Sequence, residues 1–330
     1  MGRSSGAGVI DLPLASIDWD GADVVAQPPD PRPGAWAGAP TALWHEGTFW
    51  LTYRMRRPVG EGRGYANVIA RSEDGVRFTT VAEVHRDTFD GDSLERPALV
   101  VTPEGRWRLY VSVALPGTKA WRVDLLEAAS PEALPAATPR TVLPSTATHA
   151  PKDPVIRRAA DGSWVLWASV HDLADPAHTD RMATWWATSP DGVSWTWRGT
   201  ALAGRDGAWD ARGVRPATAV PGALAPSWWP EPLGDDEWAV LFDGRASAAE
   251  NWEERTGLAH GPAGALRHAE VAGGLPLGSP HGSGGLRYLD LVPVPEGAGG
   301  PDAPGAHWRV FAEVARADGA HDLRTAVLPR

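Results

Sequence analysis

The stretch that decides the fold is Glu95-Arg96-Pro97-Ala98-Leu99-Val100, a short turn, and then Gly105-Arg106-Trp107-Arg108-Leu109-Tyr110-Val111, because it recurs. Upstream, Gly38-Ala39-Pro40-Thr41-Ala42-Leu43 leads into Gly47-Thr48-Phe49-Trp50-Leu51-Thr52-Tyr53. Downstream, Lys152-Asp153-Pro154-Val155-Ile156 leads into Gly162-Ser163-Trp164-Val165-Leu166-Trp167-Ala168, and Val214-Arg215-Pro216-Ala217 leads into Asp236-Glu237-Trp238-Ala239-Val240-Leu241-Phe242. The four prolines are 57, 57 and 62 residues apart. A proline is tolerated at the first residue of a strand, where its missing N–H breaks no essential ladder bond. A fifth copy, Gly285-Leu286-Arg287-Tyr288-Leu289-Asp290-Leu291-Val292 followed by Ala306-His307-Trp308-Arg309-Val310-Phe311-Ala312, lacks the proline.

Aligned on their aromatic, the copies give Phe49, Trp107, Trp164, Trp238 and Trp308, with Leu51, Leu109, Leu166, Val240 and Val310 two residues on. Period-two placement puts these side chains on one face of a strand. Two copies continue into Ser72-Glu73-Asp74-Gly75 and Ser189-Pro190-Asp191-Gly192, each between alternating segments. Asp-Gly there is a hairpin signal, because glycine supplies the positive φ of the turn. A supersecondary unit repeated this way stacks into a larger array. The expectation is one all-β domain, a five-bladed β-propeller with four antiparallel strands per blade. The blades fall at about 36–90, 91–145, 146–205, 206–275 and 276–330, and residues 9–14 could close the ring.

Composition narrows the function classes. Eighteen Trp, 37 Gly and 31 Pro mean many turns and large apolar contacts, in the core or in a groove that stacks sugars or bases. A formal charge of −10 argues against a nucleic-acid partner, which needs clustered Lys and Arg. No Cys is present, so disulfides, thiolate nucleophiles and Cys-ligated metals are excluded. No apolar run is long enough for a membrane span, and the first residues lack a secretory pattern, so a cytoplasmic protein without a membrane partner is expected.

Strand openings with Asp-Pro or x-x-Pro, together with Ser-x-Asp-Gly-x-x-Trp hairpins, resemble the five-bladed glycoside hydrolases: the arabinanase/xylosidase, invertase/levansucrase and mannoside-phosphorylase groups. The resemblance covers nearly the whole chain as architecture, while folds of one shape host unrelated functions. It implies carboxylates at the first-strand openings, where several blades converge. Glycoside hydrolysis generally needs two of them, one to protonate the leaving oxygen and one as base or nucleophile. By that resemblance Asp153 matches a functional aspartate, and Glu95-Arg96-Pro97 looks like an Arg-Asp-Pro opening with its charges exchanged. The pattern departs at Ala39-Pro40, where a carboxylate is due, and at Val214-Arg215-Pro216, where an acid is due.

The candidate catalytic residues are therefore Asp153 and Glu95. Asp90, Asp92, Asp210 and Glu231, in loops near the openings, could replace the missing acid. Arg96, Lys152, Arg212, Arg215 and Arg287 bring cations to the same openings. Converging like charges are costly unless anions offset them. Either they pair with Glu95, Asp153 and Asp210, or they bind a phosphate, sulfate or sugar carboxylate, for which Arg has the matching fork. Trp36, Trp209, Trp228 and Trp229 lie outside the strand pattern and are candidates for stacking a sugar ring. His149, His171, His178 and His281 flank the openings and could orient substrate or move protons. No metal-ligand spacing and no cofactor motif is present. The expected partner is a carbohydrate or other small molecule, and the expected activity is glycosidase or glycoside phosphorylase. The competing expectation is a propeller with altered chemistry that binds a sugar or a small biosynthetic intermediate.

Overall fold

The computed structural model describes residues 12–271, 275–282, 284–298 and 305–330. After β1 (Asp23–Ala26), the chain folds as successive antiparallel meanders. The first comprises β2 (Trp36–His45), β3 (Thr48–Arg56), β4 (Gly64–Ser72) and β5 (Thr79–His85). The second comprises β6 (Ser93–Val101), β7 (Trp107–Ala114), β8 (Trp121–Ala128) and β9 (Arg140–Leu143). The third is β10 (His149–Arg158), β11 (Trp164–Asp172), β12 (Met182–Ser189) and β13 (Thr196–Leu202). The fourth is β14 (Gly213–Pro221), β15 (Glu237–Arg245), β16 (Arg255–Pro262) and β17 (Arg267–His268). The last is β18 (Leu286–Val294), β19 (His307–Ala315) and β20 (His321–Pro329).

The last meander takes its outer strand from the other end of the chain: β1 pairs antiparallel with β20, Asp23 opposite Thr325 and Val24 opposite Arg324. This corrects the expectation for residues 9–14. Residues 9–11 lie outside the described residues, and Pro13–Ser16 form a 3₁₀ turn. Pro13 suits the start of such a turn because its missing N–H would have no partner there. Each first strand packs on the first strand of the next meander, and β18 packs on β2.

Burial explains the sequence pattern. The second strands, such as β11 with Trp164-Val165-Leu166-Trp167-Ala168, are buried on both faces and read as continuous apolar runs. The outer strand β13 alternates exposed and half-buried residues. Five apolar clusters fill the spaces between successive meanders, and each aromatic anchor of the repeat sits in a different one. Phe49 packs between the last and first meanders, Trp107 between first and second, Trp164 between second and third, Trp238 between third and fourth, and Trp308 between fourth and last. Trp107 meets Trp50 at 4.7 Å between ring centroids, and Trp238 meets Trp167 at 4.9 Å.

The Ser-x-Asp-Gly turns tie neighbours together. Within one, Asp191 accepts from the Val193 and Ser194 N–H groups at 2.8 Å. Gly192 holds φ +72° there, the left-handed conformation a side chain disfavours. The turn then meets the second meander, where Tyr110 Oη donates to the Gly192 carbonyl at 2.6 Å and Arg108 to that of Asp191 at 2.6 Å.

Every first strand breaks register near its proline or the equivalent position: at Gly38/Thr41, Leu94/Pro97, Lys152/Val155, Pro216/Thr218 and Arg287/Asp290. Ala39, Asp153 and Tyr288 occupy the same place in three of these bulges, with φ of 54°, 54° and 53°. A bulge bends the strand and re-aims its side chains. Here it turns the residues before the break toward a common centre.

Candidate functional site at the strand openings

The openings surround a cavity of about 280 Å³. First strands supply Trp36, Glu95, Lys152, Arg215, Arg287 and Tyr288 to its lining, and second strands supply Arg54, Arg56, His171 and Arg245. Trp121 comes from the start of β8, and Arg63, Lys119, Asp180, Asn251, Trp252 and Glu254 come from loops. The floor is Tyr288, whose ring lies 3.8 Å from the Arg215 guanidinium. Asp153 lies beneath it, fully buried and not part of the lining. It accepts from the Arg96 N–H at 3.1 Å and from Tyr288 Oη at 3.4 Å, with Lys152 and Arg215 each 3.7 Å away. Arg96, also beneath the cavity, donates to the Pro40 carbonyl at 3.0 and 3.1 Å and to that of Pro216 at 3.3 Å.

Most buried charges are matched in a network. Arg215 pairs with Asp243 at 2.7 Å, and Arg287 with Glu254 at 2.8 Å and with Glu313 at 3.0 Å. Arg245 adds a 3.1 Å bond to Glu254, while Arg54 bridges Glu95 and Glu313. His321 bonds Glu313 at 2.8 Å and stacks on Trp36 at 4.8 Å. Burial alone would raise the Glu95 carboxyl, but Arg54, Lys152 and Arg56 overcome it and hold it at about 2. Glu254 is likewise held well below the usual carboxylate range by Arg215, Arg287 and Arg245 against the cost of burial. Burial and the nearby Lys152 push His171 down to about 3, so it is neutral at pH 7.

Four lining cations have no hydrogen-bonded acid among the described residues: Arg63 and Lys119 on loops, and Arg56 and Lys152 on strands. Arg56 is 4% exposed, yet among the described residues its guanidinium has no ion pair or hydrogen bond. It lies 3.8 Å from the Trp36 ring and 5.0 Å from that of Trp252. Burial and the adjacent Arg54 draw it down to about 9. Lys152 rests 4.7 Å from the Trp121 ring, with Asp153 at 3.7 Å and no hydrogen-bonded acid. In all, eight Lys and Arg line the cavity against three carboxylates. In a chain of net charge −10 that is a concentrated positive site.

The openings thus bring together Glu95, Lys152, Arg215, Arg287, Trp36 and His171, with Arg96 and Asp153 directly below. The other candidates are elsewhere. Arg212 bonds Asp180 at 2.8 Å and lines, with His149, a separate pocket beside the cavity. Asp210 is buried behind β14, accepting from Arg205 at 3.1 Å and lying 3.3 Å from His268. Trp228 donates to the Pro329 carbonyl at 3.0 Å and packs with Trp229 against the N-terminal Leu12 and Leu14, while Trp209 stacks on Phe242. His178 pairs with Asp175, His281 with Asp20 at 2.7 Å, and Glu231 lies 3.3 Å from His260. Asp90 ends a 3₁₀ turn, and Asp92 accepts from the Gly117 N–H at 3.1 Å. Among the described residues no three of His, Asp and Glu are grouped as metal ligands.

Arg54, Arg56, Asp243, Arg245 and Glu313 were not singled out from the sequence, although a signal for them exists. Five residues past the aromatic anchor, the copies read Arg54, Ser112, Ser169, Asp243 and Glu313, and seven past it Arg56, Ala114, His171, Arg245 and Ala315. Charges interrupt an otherwise apolar strand there because its end reaches the cavity. Glu254 and Trp252, in a loop, carry no such register.

No family model and no curated protein sequence matches this chain. Solved structures do. A glycosyl hydrolase from Bacteroides ovatus superposes with a TM-score of 0.61 at 15% identity, covering 94% of this chain and 93% of the other. The β-1,2-mannobiose phosphorylase from Listeria innocua, in complex with β-1,2-mannobiose, gives 0.60 at 13% identity, covering 99% and 96%. A thermostable family-43 glycoside hydrolase gives 0.60 at 12% identity, covering 88% of each chain. In fold, this all-β chain is similar to the propeller glycoside hydrolases and mannoside phosphorylases.

Proposed function

We propose that the meanders are the blades of a five-bladed propeller, and that its axial cavity binds a carbohydrate together with an anionic group, either on the sugar or as inorganic phosphate. The observation that carries this reading is the pair Arg56 and Lys152, cations in the cavity wall with no hydrogen-bonded acid. A guanidinium held between aromatic faces keeps its fork of donors for an incoming oxyanion. The neighbouring folds, among them a phosphorylase with a bound disaccharide, support a sugar as the other component.

Glu95 is the carboxylate we place against the reacting sugar. At about 2 it is ionised at neutral pH and suited to base, nucleophile or cation stabiliser, not to donating a proton. Asp153, beneath Tyr288, acts by fixing Arg96, Lys152 and Arg215. With hydrogen phosphate as the nucleophile, its oxygen would bond to the anomeric carbon as the glycosidic C–O bond breaks, and the leaving oxygen would take the proton that the phosphate carries in, giving a sugar phosphate and a free hydroxyl. The alternative, a cavity that binds a sugar without cleaving it, draws on one observation: neither Glu95 nor Glu254 is raised toward the range of a general acid at neutral pH.

The test is release of nitrophenol from a panel of aryl glycosides, with and without inorganic phosphate. Turnover that falls at least a hundredfold in Glu95→Gln supports catalysis. Calorimetric binding of a sugar or sugar phosphate without turnover supports the binding alternative. Absence of both turnover and binding in the wild type sinks the carbohydrate reading.

A further inference from the structure

Beside the axial cavity, between the third and fourth meanders, lies a second pocket of about 270 Å³ that no step above uses. The half-buried ring of Trp185 lines it, with the His149 ring 4.6 Å away and Trp197 edge-on behind at 6.0 Å. Arg181, Asp172 and Asp206, all exposed, border the same space, and among the described residues none of the three has an ion-pair partner. Asp172 Oδ1 accepts from the Ala174 N–H at 2.8 Å, which leaves its other oxygen, Asp206 and Arg181 to face the pocket. An aromatic face bordered by such groups suits the face of a sugar ring and its hydroxyls better than an apolar ligand.

The wall between the two sites is thin. Met182 lines both of them. Arg212, on the second pocket, bonds Asp180, on the first, at 2.8 Å. Strand β14 approaches β12 so closely at Met182 that a Cβ on Gly213 would stand 2.6 Å from the Met182 carbonyl oxygen, so only glycine fits. The two sites are thus adjacent, with Met182 as a common wall.

We propose that the Trp185 pocket is a second saccharide subsite, and that the protein takes an oligosaccharide rather than a single sugar. The inference rests on the axial cavity holding a sugar. Trp185 would stack on a unit beyond the one in the axial cavity, with Asp172, Asp206 and Arg181 bonding its hydroxyls.

The test is calorimetric titration of the wild type, Trp185→Ala and Trp185→Phe with two series: galacturonic acid, its dimer and its trimer; and mannose, β-1,2-mannobiose and β-1,2-mannotriose in saturating inorganic phosphate. The expected result is a trimer bound about tenfold more tightly than the monomer in one series. That gain should be lost in Trp185→Ala and kept in Trp185→Phe. Equal affinity for monomer and trimer in the wild type, or an equal loss for both in Trp185→Ala, overturns the second subsite while leaving the axial reading intact. No binding in either series overturns both. Should Trp185→Ala fail to fold, Asp206→Ala and Arg181→Ala carry the same length comparison.

Discussion

The five first strands begin in one environment and end in another. At their openings, a cavity of about 280 Å³ is walled by Lys, Arg, Glu and Trp. At their far ends, a recess of about 390 Å³ is walled mainly by aliphatics such as Leu43, Leu99, Val101, Ile156, Val220 and Leu291. Each end holds a partly or fully buried arginine, and the two are treated differently. Arg157, at the far end, donates to the Ala219 carbonyl at 2.8 Å, the Ile156 carbonyl at 2.9 Å and Thr218 Oγ1 at 3.1 Å. Arg56, at the openings, has only aromatic faces. Charge alone therefore does not mark a site, because a guanidinium already bonded to acceptors is a weaker candidate for ligand binding than one without them. The larger, more apolar recess is the weaker candidate for chemistry.

Arg96 stands between the two ends, and breaking it should have the largest effect. Its side chain satisfies two buried carbonyls, and its positive charge offsets Asp290, Asp153 and Asp243. Removing one partner from a buried charge network leaves the rest uncompensated. Arg96→Ala should lower the unfolding free energy by about 3–5 kcal/mol in urea titration. A loss under about 1 kcal/mol would mean that the two ends are not held apart by this residue.

Glu95→Gln should come next, and its signature is pH dependence. The folded carboxyl, at about 2, lies below its unfolded value of 4.5, so its contribution is complete above the unfolded value and is lost as pH falls through the folded one. The wild type should exceed the variant by about 3 kcal/mol at pH 7. That difference should shrink below about pH 4.5 and vanish near pH 2. A difference independent of pH would remove the Arg54, Lys152 and Arg56 field from the account of the site.

How far the openings were legible in sequence follows from which residues carry a register. Proline fixed the first strands, so Glu95, Lys152 and Arg215 could be located, and Arg287 followed from the aligned fifth copy. Arg54 and Glu313 were legible in principle, five residues past an aromatic, but no proline lies within the second strands to mark the register at that end. The loop residues were not legible. Trp228 and Trp209, outside the strand pattern, went into inter-meander cores, and His149 and Arg212 fell one wall away from the cavity. Asp23–Ala26, only four residues long and exposed or half-buried, carries too little alternation to announce itself as the strand on β20. Local propensity locates a strand, whereas the path of a loop is set by tertiary contacts.

Arg56→Gln separates binding from stability at the openings. With no carboxylate bonded to it, its loss leaves no orphaned partner, and relief of its repulsion with Arg54 compensates for the lost packing on Trp36. Unfolding free energy should change by less than about 1 kcal/mol. Affinity for an anionic ligand should fall about ten- to a hundredfold, the worth of a charge-assisted hydrogen bond. The loss should be smaller in high salt, where the cavity's field is screened. An affinity that does not move would mean that the oxyanion sits elsewhere, on Lys152 or the rim.

At the far end, Leu224→Ser should have the smallest effect of all. Leu224 borders the recess but is 49% exposed, so the substitution removes little buried apolar surface and strands no polar group. Stability should stay within about 0.5 kcal/mol, and affinity at the openings should not change. A loss of ligand affinity from this remote position would show that the two ends communicate along the first strands. Arg157 and Arg96 argue against that, because each of their guanidinium nitrogens already bonds an oxygen acceptor and is held in one arrangement.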